Sequence, residues 1–130
     1  MNKIKQNRPI IFDVDRTLFN TAKFIQITTE ALLKILKISD NNFIEADKAY
    51  LSKLPNGLGF NPYEYTKLLS HKFGIAQNLL LKEFHNTINF KHSLYSDTLK
   101  VLKVLSKFHP IGVYSEGHLP FQIDKVENVG

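Results

Sequence analysis

The chain has 130 residues, enough for one ordinary domain with its own core. A hydrophobic content of 43% belongs to a globular protein, and the absence of cysteine excludes a disulfide framework or a thiolate zinc site and suits a reducing cytoplasm. The net charge of +5 is carried by lysines scattered from Lys34 to Lys107, with arginine only at Arg8 and Arg16, so it describes a solvated basic surface that favours anionic substrates rather than a nucleic-acid patch.

Met1 to Arg8 is polar and basic, and only Pro9 to Phe12 follow as an apolar run. That is too short for a signal peptide, and no segment approaches a membrane span. The expectation is a cytoplasmic protein with no membrane and no nucleic-acid partner.

Arg8 to Val14 reads as a strand, apolar and β-branched, ended by the acidic turn Asp13-Val14-Asp15-Arg16-Thr17. From Thr21 to about Ile38, apolar residues recur at three and four (Phe24, Ile27, Thr28, Ala31, Leu32, Ile35, Leu36), which predicts an amphipathic helix. Ser39-Asp40-Asn41-Asn42 breaks it and supplies the N-cap of a second helix through Leu54. Pro55 to Phe60 is a loop with two glycines able to take positive φ. Asn61, Pro62 and Glu64 predict the start of a third helix with a capping box, and Gly74 its end, with Tyr65, Leu68, Leu69 and Phe73 inward. Ala76 to Phe90 reads as one further helix with Leu79, Leu80, Phe84 and Ile88 inward. Ser96 is expected to cap a helix through Phe108. Ile111 to Tyr114 is a second strand, and a last helix from Leu119 would carry Phe121, Ile123 and Val126 inward.

Two carboxylates one residue apart, at the exit of a buried strand, are costly unless something relieves their repulsion. A turn leaving the strand lets Asp13 and Asp15 converge on one point. A hard divalent cation with oxygen ligands relieves them, with Mg2+ the first choice. The plain alternative, an Asp-rich turn that caps a helix, accounts for one aspartate and Thr17 but not for the second acid. The five histidines show no ligand spacing and read as surface or capping residues; only His118 lies near this turn in the expected order of elements. Phe43, Tyr50, Tyr65 and Phe73 recur at helical spacing and read as core.

Ile10 to Thr17 resembles the first motif of the haloacid dehalogenase (HAD) superfamily, a strand followed by Asp-x-Asp-x-Thr, with Arg16 where a glycine is usual. The resemblance implies an α/β fold. It would be a Rossmann-like HAD core, partial here with strands one and two only (residues 1–19 and 92–130), interrupted by an inserted helical cap (residues 20–91). Val113-Tyr114-Ser115 resembles the second motif, an apolar strand ending in a hydroxyl. It implies phosphate contacts from Ser115 and from the backbone N–H groups of Glu116 and Gly117, although the acid at 116 departs from the usual neutral residue. The family's third motif, a Lys or Arg, and its fourth, an acidic pair, have no counterpart here. Lys125 follows Ser115 too soon, before any further strand, to fill the third. The expectation is therefore a truncated family member, completed by a missing C-terminal half or by a homodimer.

The resemblance implies a Mg2+-dependent phosphatase acting on a small phosphorylated metabolite. Asp13 would be the nucleophile, Asp15 the acid and base, and Thr17 a residue that orients the loop and binds phosphate. Asp13 and the Asp15 backbone carbonyl would hold the metal. A catalytically incomplete fragment or binding module is one alternative. A phospho-accepting receiver domain is another, but it requires an aspartate at the end of a later strand where Tyr114 and Ser115 stand.

Overall fold

A computed structural model of the chain describes residues 8–54 and 59–127. The fold is mixed α/β, mostly helical, around a two-stranded parallel sheet. β1 (Ile10–Asp13) pairs in register with β2 (Ile111–Tyr114), so that Asp13 lies beside Tyr114 at the end of the ladder. Between the strands come α1 (Thr21–Leu36), α2 (Asp40–Leu51), α3 (Pro62–Phe73), α4 (Gln77–Phe84), α5 (Thr87–His92) and α6 (Thr98–Leu105). α7 (Leu119–Glu127) follows β2. Both strands and the long early helices match the sequence expectation. The expected first-strand residues outside Ile10–Asp13 belong to the flanking chain.

The caps explain most of the helix boundaries. Asn20 accepts a bond from the Lys23 N–H and starts α1, and Ser39 accepts from Asn42 to start α2. Pro62 takes the first position of α3, and Gly74 closes it at φ 68°. The expected capping box at Asn61 does not form. Its side chain accepts from Tyr63, while its own N–H donates to the Tyr50 hydroxyl at 3.1 Å, which leaves Glu64 no donor to close on. Of the two glycines expected at positive φ, Gly59 has φ 84°, and Gly57 lies outside the described residues with the rest of 55–58.

Three expectations are corrected. The helix over 76–90 is two helices, because Asn86 turns to cap α5 by accepting from Ile88. That break changes the phase, so Leu79 and Ile88 are exposed while Leu80, Phe84, Asn89 and Phe90 are buried. Ser96 does not cap α6, whose N-cap position is Asp97, and the helix ends at Leu105. On α7, Ile123 and Val126 are exposed and Lys125 is buried beside Phe121, since positions one turn apart share a helix face and positions two apart do not.

One aromatic cluster joins the elements before and after β2. Phe24 stacks on Phe90, with ring centres 5.2 Å apart, and Phe121 of α7 enters among Phe24, Phe60, Phe84 and Phe90 at 5.8–6.4 Å. Offset and tilted rings at such spacing add to the area they bury. The sheet is less covered. Ile11 and Tyr114, on the same face as Asp13, are 66% and 58% exposed.

Candidate functional site

The acidic stretch leaves β1 through a tight turn. The Val14 N–H donates to the Tyr114 carbonyl, which is the last tie to β2. The Val14 carbonyl then accepts from the N–H groups of Thr17, Leu18 and Phe19 at 3.3, 3.1 and 3.0 Å. To make this turn Arg16 adopts the left-handed conformation, φ 63°, while its N–H donates to the Phe19 carbonyl at 2.7 Å. A side chain there costs about 1 kcal/mol relative to glycine, which gives a physical reason for the glycine usual at this motif position. Phe19 is buried, the Leu18 carbonyl accepts from the Thr98 hydroxyl at 2.7 Å, and the Ser93 carbonyl accepts from the Asn20 N–H at 2.6 Å. The turn is thus fixed from both sides.

This geometry sends the two aspartates different ways. Asp13 is exposed at the strand end. Asp15 turns inward, and its Oδ1 accepts from the Thr21 hydroxyl at 2.9 Å and from the Lys125 ammonium at 2.8 Å. Lys125 is 4% exposed, and its Nζ lies 4.6 Å from the ring centre of Phe121 and 5.3 Å from that of Phe19. A buried ammonium requires an anion, and the ring faces add a cation–π contribution. The charge of Asp15 is therefore offset by a residue of the chain itself, 110 positions away. The sequence carried a signal for this, because Lys125 falls one helical turn after Phe121 and so on its buried face.

Asp15, Arg16 and Lys125 border a cavity of about 480 Å³ that also touches Glu116 and Gly117. This lies in the size range of small-molecule sites, about 300–1,000 Å³. Asp13, Thr17 and Ser115 lie outside its wall. The Ser115 hydroxyl donates to Gln122 Oε1 at 2.7 Å, so it is engaged within the protein. The Glu116 carboxylate accepts from the Tyr114 hydroxyl at 2.7 Å, and this bond holds the Tyr114 phenol above its ordinary range. Gly117 has φ 133°, and a Cβ at that position would meet Gln122 Nε2 at 3.0 Å. Glycine is required there on both counts. His118 Nδ1 is buried with no hydrogen-bond partner among the described residues.

The other histidines take structural places. His85 follows α4 at its C-cap and pairs with Asp124 of α7 at 2.7 Å, and His109 Nδ1 lies 3.1 Å from the Arg8 carbonyl oxygen. Among the described residues no three acidic or histidine side chains form a metal cluster. With Asp15 Oδ1 occupied by Lys125 and Thr21, the donors this segment offers a hard cation are the Asp13 carboxylate and the Asp15 backbone carbonyl. Such a set fits Mg2+ in its water-rich mode, where water and substrate phosphate oxygens complete the shell. No helix among the described residues is long and apolar enough to cross a membrane.

No protein-family description matches the sequence, and no curated protein matches it. Among solved structures, the chain is similar to YfnB of Bacillus subtilis, described as a HAD-hydrolase and crystallised bound to magnesium, with movement between its domains. The TM-score is 0.56 at 15% sequence identity. The fold is HAD-like. The likeness covers 97% of this chain and 60% of YfnB, so the chain spans about three fifths of that HAD-hydrolase's length.

Proposed function

We propose that this chain carries the nucleophile, the acid–base residue and the substrate cavity of a HAD-type, Mg2+-dependent phosphoester hydrolase. The observation that supports it most is the inward-turned Asp15, pinned by Thr21 and Lys125 at the rim of a cavity, two residues after the exposed Asp13 at the end of β1 in a HAD-like fold. The helices α1–α5 lie between the strands in sequence and act in this reading as a cap over the site, excluding water and selecting the substrate.

In the first step an Asp13 carboxylate oxygen attacks phosphorus, the bond from phosphorus to the ester oxygen breaks, and an aspartyl-phosphate forms. Asp15 gives a proton to the departing oxygen. Both bonds to Asp15 fall on Oδ1, so Oδ2 is the oxygen assigned to proton transfer. In the second step Asp15 takes a proton from water, which attacks the phosphorus and breaks its bond to Asp13, releasing phosphate and restoring the enzyme. A bound Mg2+ neutralises charge on the transferring phosphoryl group. Arg16 and Lys125 add fixed positive charge at the rim, and the N–H groups of Glu116 and Gly117 can donate to phosphate oxygens. A contribution from the Ser115 hydroxyl would require it to leave Gln122, and Thr17 acts through the turn it helps to close.

A second reading is a binding module in which the Asp15–Lys125 pair only holds α7 in place. It is favoured by the share of the YfnB length that the chain leaves uncovered. Hydrolysis of p-nitrophenyl phosphate by the purified chain separates the two. The phosphatase reading expects turnover that needs Mg2+ and is lost in Asp13→Asn; turnover that survives Asp13→Asn, or none at all, contradicts it.

A further inference from the structure

We infer that the cavity takes a phosphomonoester with an apolar, aromatic-sized body rather than a sugar phosphate. The inference rests on the proposed phosphatase reading for the phosphate group; the choice of body rests on the wall alone. Phe24 and Leu32 of α1, Phe60, Phe84 of α4 and Phe121 of α7 present rings and methyl groups to the space. Its polar side chains are mostly spent within the protein. Thr21 donates to Asp15, Thr28 donates to the Phe24 carbonyl at 2.8 Å, and the Tyr65 hydroxyl donates to Asp47 at 2.8 Å.

A sugar ring brings several hydroxyl groups that would lose water and meet carbon, and each unsatisfied polar group is costly. An aryl or compact alkyl body has no such requirement and gains from leaving water. Charge is confined to one side, where the Lys125 ammonium has three protons and one bond to Asp15, and the exposed Arg16 stands beside it. The held left-handed turn at Arg16 keeps a cation at this rim where glycine would be the less strained residue. The cavity is thus apolar in its body and cationic at its rim.

The test is calorimetric titration of the full chain, with Mg2+ present, using 1-naphthylmethylphosphonate, whose C–P bond resists hydrolysis. It is expected to bind about tenfold or more tighter than glucose 6-phosphate, inorganic phosphate or 1-naphthylmethanol. Ile25→Glu and Leu51→Glu place a carboxylate on exposed parts of the cavity wall and are expected to weaken it by about tenfold or more. Ile11→Glu, on the open sheet face, is expected to leave it unchanged. Equal affinity for glucose 6-phosphate, no binding of the phosphonate, or binding indifferent to Ile25→Glu overturns the inference. Tight, wall-dependent binding without turnover of 1-naphthyl phosphate supports it while contradicting the phosphatase reading; preferential turnover of glucose 6-phosphate does the reverse.

Discussion

Removing either partner of the Asp15–Lys125 pair should destabilise the protein, and the two losses should be unequal. Lys125 is 4% exposed at its side chain and Asp15 29%. Asp15→Ala leaves an ammonium buried between two rings with no anion, which costs about 3 kcal/mol, the lower end for a broken buried pair. Lys125→Met leaves a carboxylate that water can reach and that keeps its bond from Thr21. Its loss is one charge-assisted hydrogen bond and the cation–π contacts, about 2 kcal/mol, offset in part by burying a thioether in place of a charge. The net cost is about 1 kcal/mol. For 130 residues the entropy of unfolding is roughly 0.27 kcal/mol/K, so the Tm should fall by about 11 °C and about 4 °C respectively. Thermal and urea unfolding followed by circular dichroism measures both. The double variant should be less costly than the sum of the singles by about 1–2 kcal/mol. A Lys125→Met cost larger than that of Asp15→Ala, or additive costs, would refute the pairing.

Arg16→Gly relieves the left-handed strain at φ 63° and should raise stability by about 0.5–1 kcal/mol after the added chain entropy of glycine; a loss of stability would show the turn is unstrained. Burial, then the bond to Asp47, push the Tyr65 phenol well above its ordinary range. The folded state therefore keeps this proton where the unfolded chain releases it. Its stabilising contribution is full below about pH 10 and declines above it by up to about 1.4 kcal/mol per pH unit. Tyr65→Phe should flatten that slope between about pH 10 and 11.5 in urea titrations, and an unchanged slope would place its origin elsewhere. Phe121→Ala opens a space among Phe24, Phe60, Phe84 and Phe90 and should cost about 3–5 kcal/mol; a cost below about 1 kcal/mol would mean α7 is not anchored by that ring.

The strands and most caps were legible because local chemistry decides them. Ile10 to Asp13 and Ile111 to Tyr114 are short apolar runs ended by polar turns, and Ser39, Pro62 and Gly74 act within one turn of their own backbone. The split at Asn86 was legible only in principle, since an Asn inside a periodic stretch can cap a helix or sit on its surface, and packing of Phe84 and Phe90 decides. The site was legible in its acids and not in its counter-charge. Spacing along the chain set Lys125 aside as too near Ser115 for a third motif. What places it is the phase of α7, where Phe121 enters the aromatic cluster and the residue one turn later must face the same interior. Grouping Ile123 with Phe121 assigned the wrong face. The division of labour among Asp13, Asp15 and the 115–117 turn depended on the left-handed Arg16 and the open Gly117, whose φ angles no single residue type announces.

The role of Asp13 is tested most directly by trapping the covalent intermediate. The purified chain is mixed with p-nitrophenyl phosphate labelled at phosphorus in the presence of Mg2+, quenched in acid, and mapped by peptide mass. The account predicts label on the peptide containing Asp13, none in Asp13→Asn, and accumulation in Asp15→Asn, because p-nitrophenolate departs without a proton donor while the water of the second step lacks its base. Label on another residue, or label that persists in Asp13→Asn, would contradict it.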